Sequence, residues 1–280
     1  MLINGNEIVL EKLHEKIWVF KNAFKSGPEM INFYKENFPA EDWIDWYAFG
    51  SHILIPTGSR EFSSFPTRDD WEDFVKFNFD KVDDINLKVT NKYVYEMLQV
   101  FYDATKLDVE ALNINYPNWV WDSLDIANYH DSFGVNEFQG MSYHTDFQEE
   151  RREDPGLKFG TTCLFYLNDD YEGGGIHFIE LSDDKENLIS EVEYKPGAGD
   201  LVIFPSGHPF YHSSLISKNG KKHLTRTYWR YDDPGSDKWH EDKKNHSEEE
   251  WKDILRERHS SKSRSQGESL NKWNMKLWKK

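Results

Sequence analysis

The pattern of apolar and polar positions changes near Trp119. Before that point apolar residues recur at helical intervals, most clearly at Val94, Met97, Leu98, Phe101 and Tyr102. Further helices are predicted near Pro28–Asn37 and after Thr67-Arg68-Asp69-Asp70, which is similar to a capping box. A strand is predicted at Ile17-Trp18-Val19-Phe20. The N-terminal region is therefore predicted to be mixed helix with short strands, its apolar stripes facing a core.

Between Trp119 and Tyr231, short apolar or alternating segments are separated by Gly, Pro, Asp and Asn. Many short strands at this spacing favour a sandwich or jelly roll. Helices followed by strands predict an α+β fold with a double-stranded β-helix (jelly-roll) core. The predicted strands are Leu124–Tyr129, Thr161–Asn168, Gly175–Glu180, Glu191–Tyr194, Leu201–Phe204 and His223–Tyr231.

We divide the chain into an N-terminal support region (1–118), a catalytic core (119–233) and a charged C-terminal extension (234–280), forming one structural domain overall. Ser247 and Glu250 predict a helix start in the extension.

Composition limits the class of protein. An aromatic content of 16%, with 11 Trp in 280 residues, favours a packed core over disorder. No apolar run approaches the roughly 18 residues of a membrane span, and the first residues do not resemble a signal peptide. With Cys163 as the single cysteine, we expect a cytoplasmic protein. The net charge of −16 argues against nucleic-acid or anionic-membrane partners, and the oligomeric state stays open.

A candidate metal site begins at His144 and Asp146. Extended chain places side chains two residues apart on one face, and both residues follow a predicted strand and a loop. The spacing alone is weak evidence, since His240-Glu241-Asp242 repeats it within a run of charges. Two imidazoles and one carboxylate form the facial arrangement that holds non-haem Fe(II) and leaves three positions free. His212, after the apolar run 201–204, is one candidate for the second imidazole, and His208 and His177 are the alternatives.

Six motifs follow one another in a specific order between Leu124 and Tyr231. They are Ala127-Asn128-Tyr129, the His144-x-Asp146 pair, Thr162-Cys163-Leu164-Phe165-Tyr166-Leu167-Asn168, Glu172-Gly173-Gly174, Lys195-Pro196 with Gly199-Asp200, and His212 followed by Gly220-Lys221-Lys222. With these motifs in this order, the stretch resembles the 2-oxoglutarate/Fe(II) dioxygenases, and within them the prolyl 4-hydroxylase-like group.

The resemblance implies a role for each matching residue. His144, Asp146 and His212 match the iron ligands. Tyr166 and Lys222 match the residues that bind the far carboxylate of 2-oxoglutarate. The stretch from Lys222 to Trp229 is one residue longer than the family's usual spacing, and a bulge would absorb the difference. Arg226 has the same strand parity as Lys222 and is the alternative partner for the carboxylate. Two aromatic residues, Tyr129 and Trp229, are the candidates for the substrate pocket.

The resemblance further implies Fe(II), with 2-oxoglutarate and O2 as cosubstrates, and it allows ascorbate. Asp146 is present where halogenating relatives carry Gly or Ala, so hydroxylation is the implied reaction. The expected substrate is a prolyl residue of a peptide or protein. The same chemistry on a small molecule or another side chain stays open, as does a catalytically silent binding module.

Overall fold

The structure is a computed structural model that describes the following residues: 2–3, 6–37, 44–46, 50–55, 60–80, 85–111, 119–121, 124–129, 140–146, 159–231, 245–247 and 250. The strands are β1 (Leu2–Ile3), β2 (Asn6–Glu7), β3 (Val9–His14), β4 (Ile17–Lys21), β5 (Ile44–Trp46), β6 (Gly50–Ile55), β7 (Arg60–Phe62), β8 (Trp119–Trp121), β9 (Leu124–Tyr129), β10 (Phe159–Tyr166), β11 (Glu172–Gly173), β12 (Ile176–Leu181), β13 (Leu188–Tyr194), β14 (Leu201–Pro205), β15 (Phe210–Ser214), β16 (Ser217–Lys218) and β17 (Lys222–Tyr231). The helices are α1 (Gly27–Asn37), α2 (Arg68–Asp80) and α3 (Ile85–Ala111).

Ten of the described strands form one antiparallel sheet, which we call the major sheet. Its order is β3-β4-β14-β10-β17-β9-β6-β5, with β8 beside β17 and β7 beside β8. A smaller antiparallel sheet, the minor sheet, has the order β13-β12-β15. This two-sheet antiparallel core agrees with the jelly roll predicted from the sequence. Five strands of the major sheet, β3 to β7, lie before residue 118. The sequence pattern predicted only one of these five, at Ile17–Phe20.

Strand β14 shows that both faces of the major sheet are covered. Val202 and Phe204 belong to an apolar cluster that also contains Phe178 of the minor sheet. Leu201 and Ile203 belong to a second cluster with the helices. Because side chains alternate between the two faces of a strand, a strand buried on both faces must be apolar at successive positions. We call the face toward the minor sheet the inner face.

The three helices pack against the outer face of the major sheet. Their buried side chains surround Trp121 and Trp229 from β8 and β17, and Trp71 of α2 lies 5.3 Å from the Trp229 ring centroid. Helix α2 begins as predicted, because Thr67 Oγ1 accepts from the Asp70 amide and the Asp70 carboxylate accepts from the Thr67 amide. The apolar stripe predicted on α3 is fully buried in the same cluster.

The structure confirms all six strands predicted after Trp119, with bounds that shift by up to three residues. It adds β8, β11, β15 and β16, which the sequence pattern did not reveal. Ser247 and Glu250 form the predicted reciprocal cap, while the helix expected after it lies outside the described residues. Among the residues that the structure describes, no helix combines the length and apolar composition that a membrane span requires.

Candidate metal centre

Two chain segments meet at the candidate centre. His212 lies within β15, and residues 140–146 run antiparallel beside it. The His144 amide donates to the His212 carbonyl at 3.0 Å, and the His212 amide donates to the His144 carbonyl at 2.9 Å. This reciprocal pair places the two imidazole rings side by side, with centroids 4.2 Å apart. Asp146 follows two residues after His144, as the sequence spacing predicted.

His144, Asp146 and His212 converge closely enough to share one cation. One possible ligand atom from each residue lies within 4.8 Å of the others. Nε2 of His212 lies 3.7 Å from Asp146 Oδ2, and Nε2 of His144 lies 3.9 Å from Asp146 Oδ1. The structure therefore brings together the three residues that the sequence proposed as iron ligands.

The hydrogen bonds and charges of the site suit a metal ion. His144 Nδ1 lies 2.8 Å from the Ser142 carbonyl, which only accepts hydrogen bonds, so Nδ1 is the donor here and Nε2 is the nitrogen directed toward Asp146. Burial lowers the pKa of His212 to about 3, which keeps this ring neutral. Burial opposes ionisation of Asp146, but the two histidines and a hydroxyl outweigh it and lower its pKa. Two imidazoles and one carboxylate fit Fe(II).

Residues 140–146, which carry His144 and Asp146, also form side-chain hydrogen bonds with the minor sheet. Tyr143, which precedes His144, is fully buried, and its hydroxyl lies 2.5 Å from His177 Nδ1. Ser213 donates from its hydroxyl to the Met141 carbonyl at 2.7 Å. These contacts hold the loop against β12 and β15. They join segments far apart in the sequence, and the chain pattern gave no signal for them.

A threonine–serine pair supports the carboxylate ligand. Thr162 Oγ1 on β10 donates to Asp146 Oδ2 at 2.7 Å, and the same oxygen lies 2.7 Å from Ser206 Oγ. Thr162 is completely buried and Ser206 is 3% exposed. Thr162 is the first residue of the motif 162–168, which was part of the family resemblance. Its contact with Asp146 was not predicted from the sequence.

Lys222 is buried on the inner face near His212. Its Nζ donates to the Gly174 carbonyl at 3.2 Å and to the hydroxyl of Ser214, which lies two residues after His212 on the same strand face. Burial lowers the pKa of Lys222 to about 7. Tyr166 is 1% exposed within the inner-face cluster and pairs in register with Leu224, so Lys222 is its diagonal neighbour.

Arg226 lies on the same face of β17 as Lys222, with Leu224 between them. It pairs in register with Leu164 of β10, and Thr162 pairs with Tyr228. Its charge lowers the pKa values of both Asp146 and His212, and in each case it is the smallest of the contributions. Arg226 is therefore nearer the three ligands, and Lys222 lies toward Tyr166.

The structure does not bring Trp229 to the inner face. The pairing of β17 with β10 keeps one register from Leu224 to Tyr231, so no bulge occurs along these pairs. Trp229 therefore alternates onto the opposite face from Lys222 and is fully buried in the outer, helix-side cluster. The backbone of Tyr129 pairs with that of Lys222. The Tyr129 side chain is not among the parts that the structure describes.

The alternative histidines lie elsewhere. His177 faces the outer side of the minor sheet, where it contacts Tyr143. His208 lies in the turn before β15, with its Nδ1 3.4 Å from the Tyr211 hydroxyl. His240, in the second His-x-Asp motif, is outside the described residues.

Comparison with known proteins gives one sequence-level match. Residues 126–231 match the family profile described as the 2OG-Fe(II) oxygenase superfamily. This range contains His144, Asp146, His212, Tyr166 and Lys222. A search of curated protein sequences gives no match.

Several solved structures are similar to this chain at low sequence identity. A viral collagen prolyl hydroxylase from Paramecium Bursaria Chlorella virus-1 is 12% identical with a TM-score of 0.42, covering 77% of this chain and 96% of that one. A prolyl hydroxylase from Trichoplax adhaerens, in complex with a hypoxia inducible factor peptide fragment, is 14% identical with a TM-score of 0.45, covering 78% and 84%. A Pseudomonas putida prolyl-4-hydroxylase is 15% identical with a TM-score of 0.41, covering 77% and 92%.

Proposed function

We propose that this chain is a 2OG-Fe(II) oxygenase of the prolyl 4-hydroxylase-like kind, because residues 126–231 match the superfamily profile and contain the three candidate iron ligands. It is a dioxygenase that uses Fe(II), 2-oxoglutarate and O2. The proposed reaction is hydroxylation of a C–H bond, and the proposed substrate is a prolyl residue in a peptide or protein. Asp146 supports hydroxylation, because the halogenating relatives carry Gly or Ala in its place.

The observation that carries the proposal is a site with two chemically different ends. At one end His144, Asp146 and His212 would hold Fe(II). At the other end the buried amine of Lys222 lies beside Ser214, which shares a strand face with His212. A dicarboxylate that chelates a metal at one end must have its second charge paired when it is buried. Fe(II) and 2-oxoglutarate, when bound, supply the activation of O2 that yields succinate, CO2 and a hydroxylated product.

We assign the far carboxylate of 2-oxoglutarate to Lys222 with Tyr166. Both side chains lie on the inner face as diagonal neighbours, and both are almost completely buried. Arg226 is the weaker candidate, because its place beside Leu164 puts it nearer the metal ligands. In this assignment Lys222 binds and orients the cosubstrate, while the surrounding apolar cluster excludes water.

The remaining parts of the proposal concern organisation and context. The helices packed on the outer face of the major sheet would support the jelly roll, and the charged extension after residue 233 would be an appendage of the same domain. Tyr129 would line the substrate pocket. A cytoplasm-like, reducing location is consistent with Cys163, which is buried and forms no disulfide. The net charge of −16 favours cationic over anionic substrates.

Mass spectrometry of candidate peptides tests the substrate. The protein is incubated with Fe(II), 2-oxoglutarate, ascorbate and proline-containing peptides flanked by Lys or by Glu, each paired with a peptide in which Ala replaces the proline. We expect a one-oxygen gain on the prolyl peptides that requires 2-oxoglutarate and is lost in His212→Ala. If only free small molecules gain oxygen, the prolyl assignment fails while the dioxygenase chemistry stands.

A further inference from the structure

The Asp146 carboxylate is bound by a short chain of two hydroxyl groups. Thr162 Oγ1 lies 2.7 Å from Asp146 Oδ2, and Ser206 Oγ lies 2.7 Å from Thr162 Oγ1. Ser206 is itself fixed to β10, because its amide donates to the Gly160 carbonyl at 2.7 Å. Both hydroxyl groups are buried, so bulk water does not compete for these bonds.

The direction of the chain follows from hydrogen-bonding chemistry. An ionised carboxylate only accepts hydrogen bonds, and a hydroxyl has a single proton to donate. Thr162 must therefore donate to Asp146, which leaves only its lone pairs for Ser206. Ser206 in turn must donate to Thr162. The order Ser206 to Thr162 to Asp146 makes the final bond charge-assisted, the stronger class of hydrogen bond.

We propose that Thr162 and Ser206 are positioning residues that fix the rotation of the Asp146 carboxylate toward the metal. One carboxylate oxygen is engaged by Thr162, which favours a single metal–oxygen bond from the other. A carboxylate without this restraint rotates about its Cβ–Cγ bond and can present both oxygens. A second metal–oxygen bond would occupy one of the positions that the cosubstrate and O2 need. This inference rests on the proposed metal site.

A matched set of four variants tests the role of the chain. Thr162→Val removes the hydroxyl at nearly constant volume, and Thr162→Ser retains it. Ser206→Ala removes the distal donor. Thr225→Val is the control, because Thr225 is a fully buried threonine on the neighbouring strand whose hydroxyl faces Met97 on the helix side. Folding of each variant is checked by thermal unfolding before any metal is added.

The probe is Co(II) added anaerobically to the full-length protein without 2-oxoglutarate. Titration gives the dissociation constant, and the visible absorption of bound Co(II) reports its coordination. Loss of groups that orient metal ligands typically costs 10- to 100-fold in affinity. We expect Thr162→Val to weaken Co(II) binding at least about 10-fold and to alter the absorption spectrum. Thr162→Ser should restore both, Ser206→Ala should show a smaller change in the same direction, and Thr225→Val should match the wild type.

The outcomes separate the two levels of the proposal. If the wild-type protein binds no Co(II), the metal site itself fails. If the wild type binds Co(II) and Thr162→Val has the same affinity and spectrum, the positioning role is overturned while the metal site stands. If Thr162→Val does not fold, the Ser206→Ala variant decides the question. An unchanged Co(II) affinity and spectrum in that variant would also overturn the positioning role.

Discussion

Replacement of Lys222 should change how the affinity for 2-oxoglutarate depends on pH. Burial lowers the pKa of Lys222 to about 7, so its amine is half protonated near neutrality before the cosubstrate binds. Only the protonated amine attracts the far carboxylate, and the bound carboxylate raises the lysine pKa. The cosubstrate affinity should therefore be constant below pH 7 and fall as the pH rises above it.

The magnitude follows from the fraction of protonated amine. Each pH unit above 7 removes about tenfold of the protonated free form, so 2-oxoglutarate should bind about 30-fold more weakly at pH 8.5 than at pH 6. Lys222→Arg keeps its charge at all these pH values and should show a nearly flat profile. Lys222→Met removes the charge. We expect it to bind more weakly than the wild type by roughly 2–5 kcal/mol at pH 6, with a difference that narrows as the pH rises above 7.

Isothermal titration of the metal-loaded, anaerobic protein with 2-oxoglutarate between pH 6 and 9 measures these profiles. Arg226→Met serves as the matched control, because Arg226 lies on the same face of β17 at the end nearer the metal ligands. It should retain the wild-type pH slope. A Lys222→Met protein that binds like the wild type, together with a large loss in Arg226→Met, would refute the assignment to Lys222.

Three further predictions follow from buried contacts. Burial raises the pKa of Asp108 to about 7, so the folded state holds a proton there that the unfolded state releases above its ordinary value of 3.8. This group therefore makes the protein less stable as pH rises from about 4 to 7, by roughly 3 kcal/mol between pH 5 and 8. Asp108→Asn should remove that slope in urea unfolding curves, and an unchanged slope would contradict it. Tyr143→Phe removes the hydroxyl beside His177 and should weaken Co(II) binding about fivefold, as the loss of about 1 kcal/mol implies; an unaltered dissociation constant would show that this contact does not order the ligand loop. Thr67→Ala removes the cap of α2 and should lower stability by about 1 kcal/mol without changing metal affinity, measured by thermal unfolding.

Local patterns allowed much of the fold to be predicted from the sequence. The Thr67 cap and the apolar stripe of α3 depend on residues within a few positions of one another, and both are present. His144 and Asp146 could be paired because side-chain direction repeats every two residues along extended chain. The apolar run Leu201–Phe204 predicted a strand, and the structure buries that strand on both faces. In each case the chain itself carries the information.

The features that sequence patterns did not predict depend on long-range pairing. His212 lies inside β15, a five-residue strand with polar residues at three consecutive positions, which the sequence pattern did not predict. Trp229 was placed in the substrate pocket, but the uninterrupted register of β17 puts it on the helix side. The bond from Thr162 to Asp146 joins two segments whose contact depends on the folded sheet. Local periodicity carries no information about such contacts.

The proposed function requires one site that binds Fe(II) and 2-oxoglutarate together. Anaerobic addition of both to the protein, followed by visible absorption spectroscopy, detects this binding directly. We expect a weak metal-to-ligand charge-transfer band in the wild type that disappears in His144→Ala. Absence of the band in a folded wild-type protein would show that the site does not bind the two together.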